Sequence, residues 1–114
     1  MKILKSSNGL NAESIFRMTQ DPKVDQVKNH GGEVFTLNEW VYYTDTNSNG
    51  KEIELLALSC EECTVATNSP TFIGQFLKMI EFFSENDMVV HRIEVIEDLN
   101  LKTNRTFYNV SYID

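Results

Sequence analysis

The sequence predicts a mainly β protein of the α+β class: a five-stranded, partly open barrel with one helix between its third and fourth strands. A short helical arm precedes the barrel. Three observations lead to that expectation. From Glu33 onward apolar residues recur with period two, the spacing that places alternate side chains on one face of a strand. Over residues 70–84 the period becomes three and four, the spacing of a helix face. Turn-forming clusters at residues 45–50, 61–62, 84–87 and 98–104 cut the remainder into five pieces of strand length.

The helix over 70–84 has the clearest signature. Ser69 is a good N-cap, because its hydroxyl accepts a bond from a first-turn N–H that has no partner inside the helix. Pro70 follows at the first helical position, where its fixed φ suits the helix. Phe72, Ile73, Phe76, Leu77, Ile80 and Phe83 form one apolar face, and Gln75, Lys78 and Glu81 fall outside it. In the arm, Asn11 is placed to cap a short helix over 12–18, with Ile15, Phe16 and Met18 toward the domain. Asp21-Pro22 opens a second helix to about residue 29, which Gly31-Gly32 stops.

The strands follow in order. The first runs from Glu33 through Tyr43, with Phe35, Leu37, Val41 and Tyr43 inward and Trp40 and Tyr42 outward. Asn49-Gly50 marks a hairpin, and residues 52–59 return with Ile53, Leu55 and Ala57 on one face. A short third strand spans 63–67 around Val65. The fourth, residues 88–97, carries Val89, His91, Ile93 and Val95 on one face. The fifth, residues 105–113, turns Tyr108, Val110 and Tyr112 inward and Arg105, Phe107 and Asn109 outward. Three strands, a helix and two strands is the element order of the OB-fold.

At 114 residues the chain can build its own core, so a single domain over 1–114 is expected, with residues 1–31 as a helical N-terminal extension. A hydrophobic share of 41% argues against disorder, and no apolar run has the length of a membrane span or a signal peptide. A cytoplasmic protein without membrane association is the expectation. The net charge of -7 argues against a broad grip on duplex DNA and leaves room for a narrow basic groove. Cys60 and Cys63 have C-x-x-C spacing, but a zinc site needs two more ligands, and His30 and His91 stand in no paired motif. Glu61 and Glu62 between the cysteines disfavour a thiolate, so neither a metal nor a redox cofactor is expected. No nucleotide-binding loop, zinc-protease helix or nucleophile elbow is present, and no enzyme is expected.

Candidate binding residues emerge from the outward faces. Trp40, Tyr42 and Phe107 are aromatic there, and a phenylalanine two residues from Arg105 suits a stacked base whose phosphate meets the cation. Lys51 ends the loop between the first two strands, Lys102 lies in the loop between the last two, and Arg92 sits on the neighbouring strand. In a barrel of this order those two loops flank the binding cleft.

The segments Ala66-Thr67-Asn68-Ser69-Pro70-Thr71-Phe72, Tyr42-Tyr43-Thr44-Asp45 and Lys102-Thr103-Asn104-Arg105-Thr106-Phe107 resemble small single-stranded DNA-binding proteins of phages and mobile elements of Gram-positive bacteria. The opening run from Lys2 to Leu10 is similar to the start of some members, so the resemblance extends over most of the chain. The family's closing motif is Ser-Lys-x-Gly-Arg-x-Phe. Here Leu101 stands at the serine and Asn104 at the glycine, and asparagine tolerates the positive φ that such a turn requires. Lys102, Arg105 and Phe107 match. The resemblance implies a protein that coats single-stranded DNA during phage or mobile-element replication. Replication proteins and further copies of the chain are the additional partners considered, and any recruitment would use the folded body. The alternative is an acidic protein that binds and blocks a host protein, with Glu52, Glu54, Glu61 and Glu62 as its contact surface.

Overall fold

One long strand organises the molecule in the computed structural model, which describes residues 1–114. β3 (Val34–Thr46) follows β1 (Lys2–Ser6), α1 (Ala12–Thr19), the two-residue β2 (Asp25–Gln26) and a 3-10 turn over Val27–His30. After it come β4 (Glu52–Cys60), β5 (Thr64–Thr67), α2 (Pro70–Glu85), β6 (Arg92–Asn100) and β7 (Arg105–Ile113). The sheet order is β2-β5-β4-β3-β6-β7, with β1 added to β3 off that path. The result is a mixed α+β protein, mostly strands, whose sheet curls into a half-barrel and carries two helices.

β3 serves two sheet regions because it changes phase midway. Leu37 pairs with Cys60 and Glu39 with Ser59, so Asn38 is an extra residue that leaves the ladder. Before this bulge Phe35 and Leu37 face the main core. After it the even-numbered residues do, and Trp40 packs with Leu56, Leu58, Phe72 and Phe76, with Tyr42 against the edge of that cluster. Val41 and Tyr43 turn to the opposite face, where Met18 of α1 and Ala57 cover them. Trp40 and Tyr42 were expected outward and Val41 and Tyr43 toward the same core as Phe35. The bulge reverses that assignment. It is hard to see in the sequence because both series are apolar, and here Trp40, Val41 and Tyr43 are buried and Tyr42 half-buried.

α2 forms as the sequence predicts. Ser69 Oγ accepts from the Phe72 N–H at 3.3 Å, and Phe72, Ile73, Phe76 and Met79 are buried. Leu77, Ile80 and Phe83 pack against the core's border, while Gln75, Lys78 and Glu81 are exposed. Val65 at the centre of β5 and Ile93 and Val95 of β6 are fully buried, as expected.

The first thirty-one residues depart from a helical arm. α1 is present, with Asn11 Oδ1 capping the Ser14 N–H at 2.8 Å. Its Phe16 is 56% exposed, and Met18 alone is buried. The second helix is reduced to the 3-10 turn over Val27–His30, which ends at Gly31. Asp21 closes one turn by accepting from the N–H groups of Lys23 and Val24, then Asp25 and Gln26 pair in parallel with Val65 and Ala66. A helix of eight residues is marginal alone, and the open edge of β5 offers stronger partners. β1 was not foreseen either: its five residues are all exposed, so no alternation marks them. β6 begins at Arg92 rather than Met88, because the Met88 N–H folds back to the Phe83 carbonyl at 2.8 Å. Val89 and His91 are therefore exposed and Val90 is buried instead.

One cross-link fixes the start of β3. The Glu62 carboxylate accepts from the Thr36 N–H at 2.8 Å and the Thr36 hydroxyl at 3.0 Å. The Thr36 N–H, above all, holds Glu62 below its ordinary range. Asp25 is lowered too, chiefly by Asn29 and the Gln26 N–H. A depressed carboxylate contributes stability above its ordinary value, and that contribution is lost as pH falls through the folded value. Thermal melts of the wild type should therefore fall between pH 7 and pH 3. Glu62→Gln should start lower at pH 7 and lose less over the same interval.

Candidate nucleic-acid interface

The β6–β7 hairpin ends in a four-residue turn whose geometry is set by two asparagines. The Asn100 side chain accepts from the Lys102 N–H at 3.0 Å and the Thr103 N–H at 3.4 Å, and the Asn104 N–H donates to the Asn100 carbonyl at 2.7 Å. Asn104 closes the turn with φ of 55°, the left-handed region in which asparagine substitutes for glycine. Asn104→Gly should leave stability unchanged or slightly raised, whereas Asn104→Val should lower it by about 1–2 kcal/mol in a denaturant titration.

This turn brings three of the sequence-predicted residues together. Lys102 and Arg105 are exposed and belong to no ion pair, since the three pairs in the protein join Arg17 to Glu13 and His30 to Asp25 and Glu33. Phe107 is half-buried on the outward face of β7, two residues from Arg105 and opposite Asp98 of β6. Tyr108, Val110 and Tyr112 take the core side, so the expected division of β7 into two faces holds.

The other expected residues do not join them. Trp40 is only 9% exposed and meets Phe76 edge-on, with ring centres 5.5 Å apart, so it offers no face to a base. Arg92 pairs with Ile113 at the far end of the hairpin, eight residues along β6 from the turn, a distance of about 26 Å. It donates to the Asp114 carbonyl at 3.1 Å, and its charge contributes to the lowering of Glu62. It belongs to that polar corner and not to a groove with Lys102.

Tyr42 and Lys51 lie on the β3–β4 hairpin, Tyr42 opposite Leu56 in its middle and Lys51 at its turn. β3 and β6 run antiparallel from their shared pairs at Val34 to Thr36, so the two hairpins project from the seam in opposite directions. After the bulge Tyr42 lies on the α2 side of the sheet, whereas Phe107 lies on the outward face. Tyr42 lines a groove of about 380 Å³ with Ile53, Asn68, Pro70 and Leu77. The pairing of β1 adds two cations that the sequence reading missed: Lys5 lies opposite Tyr42 and Lys2 opposite Thr44, on the same face of the sheet. Finding them required β1, which no hydrophobic pattern announces.

The acidic residues proposed for a host-protein contact are divided. Glu52 and Glu54 stand at one end of β4, Glu61 and Glu62 beyond the other, and Glu62 is bonded to Thr36. The cysteines lie beside this corner. Burial first, then the nearby charges of Cys63 and Glu62, push the Cys60 thiol up to about 12, so it stays protonated at neutral pH. Compared with known proteins, the chain matches no family model, and no curated protein or solved structure is significantly similar to it.

Proposed function

We propose that this chain is a small OB-type protein that binds and coats single-stranded DNA, largely independently of sequence, during replication of a phage or mobile element. The OB-type reading is supported by the strand order β5-β4-β3-β6-β7, with α2 between the third and fourth of these in chain order; on that reading β1, β2 and α1 are additions. The observation that carries the reading is the β6–β7 turn, where Lys102, Arg105 and Phe107 stand together with no internal partner for either charge. Stacking on an aromatic ring serves any base, and nearby cations follow the phosphates. Lys2 and Lys5 beside Tyr42, with Lys51 further out at the turn of the same hairpin, supply a second contact region.

α1 restricts where a strand can lie. It covers the outward face of β3 and β4 through Met18, Val41, Tyr43 and Ala57, which leaves the β6–β7 hairpin and, on the opposite side of the sheet, the region around Tyr42. Fluorescence anisotropy of a labelled oligo-dT is the test, since the single tryptophan is too buried to report on binding. Phe107→Ala should weaken binding by about 1–3 kcal/mol. Arg105→Ala should weaken it and reduce the slope of log K against log salt by about one. No anisotropy change at low salt with tens of micromolar protein would remove the proposal.

A further inference from the structure

We propose that copies of this chain associate head to tail, the tip of one β6–β7 hairpin seating in the groove between α2 and β7 of the next copy. Two features that the single molecule leaves without partners carry the inference. The first is the tip itself. Leu101 is 87% exposed and Leu99 47%, on a turn held rigid by the Asn100 and Asn104 bonds. Both side chains would gain by leaving water for an apolar floor. The second is an open groove of about 460 Å³, whose floor is Met79, Phe83, Val110 and Tyr112. Phe83 stacks on Tyr112 at 4.5 Å, and Phe82, 60% exposed, forms the groove's outer wall.

Charge selects the occupant. Each copy carries a net charge of -7, which opposes association except where opposite signs meet. The groove's rim bears Glu81 and Glu85, one helical turn apart, with Lys78 a turn nearer the start of α2. The tip bears Lys102 beside Leu101. An apolar side chain flanked by a cation thus faces an apolar floor flanked by carboxylates, and the same chain supplies both. Geometry then sets the form of the assembly. Tip and groove lie at opposite ends of β7, so one copy uses different surfaces toward its two neighbours. Such a contact is heterologous, and it builds rows or rings rather than closed two-fold dimers. Lys102 is common to this contact and to the proposed nucleic-acid interface, whereas Arg105 and Phe107 lie on β7 beyond the turn.

The test needs no nucleic acid and so stands apart from the proposed function. Sedimentation velocity of the full chain at rising concentration should show growth beyond dimer, and both Leu101→Asp and Phe82→Asp should abolish it. Both sites are exposed, and unchanged circular dichroism would confirm that each variant folds. A mixture of the two variants is diagnostic: the Phe82→Asp copy keeps its tip and the Leu101→Asp copy keeps its groove, so the mixture should give a one-to-one dimer and nothing larger. A wild-type chain that stays monomeric overturns the inference. So does association that survives Leu101→Asp, or a mixture that stays monomeric.

Discussion

Trp40→Ala is expected to lower stability by about 3–5 kcal/mol, the range for removing a large aromatic side chain from a packed core. The ring lies edge-on to Phe76 and sits opposite Leu58, within the main core cluster. The backbone of Trp40 is a separate matter. Its N–H donates to Ser7 Oγ at 3.0 Å, and its carbonyl accepts from the Ser7 N–H at 3.0 Å and hydroxyl at 3.2 Å. Those bonds survive the substitution, so the loss measures the side chain. Far-UV circular dichroism in a urea titration reads it, since the variant has no tryptophan. Oligonucleotide affinity measured where the variant is still folded should equal that of the wild type. A residue that stacked on bases would show the reverse: affinity lost and stability kept.

Met18→Ala is expected to cost about 2–5 kcal/mol. The side chain is 2% exposed and is α1's one buried contribution to the second, smaller core with Val41, Tyr43 and Ala57. Its loss should loosen α1 from the sheet and raise the binding of an apolar dye to the uncovered face. Phe16→Ala, on the same helix but 56% exposed, should change stability by no more than about 0.5 kcal/mol. The pair separates a helix that is part of the body from one that merely precedes it, as the sequence alone suggests.

What could be read from the sequence was governed by how local the cause is. α2 was legible because its cap, its proline and its apolar face all lie within the element, and all three agree. The β6–β7 turn was legible for the same reason: asparagine carries its own tolerance for positive φ. The bulge at Asn38 was not, because one inserted residue leaves the apolar content of β3 unchanged and alters only its phase. Trp40 was misplaced for that reason alone. β1 and β2 were missed because their partners, Tyr43 and Val65, lie far along the chain, and neither strand has a hydrophobic pattern of its own. Arg92 was assigned to the wrong neighbours because element order says which strands adjoin and nothing about how far a nine-residue strand carries its two ends apart.

The distant pairing of β1 has a consequence during synthesis. Ile3 emerges from the ribosome about forty residues ahead of its partner Tyr43. At about 5–20 residues per second that interval lasts roughly 2–8 s. Throughout it the apolar pair Ile3-Leu4 has no native place to go. Lys2 and Lys5 bracket that pair, and charges beside an apolar strand keep it from joining the wrong edge. The two lysines opposite Thr44 and Tyr42 in the finished sheet are thus also placed to keep this segment from mispairing until β3 arrives.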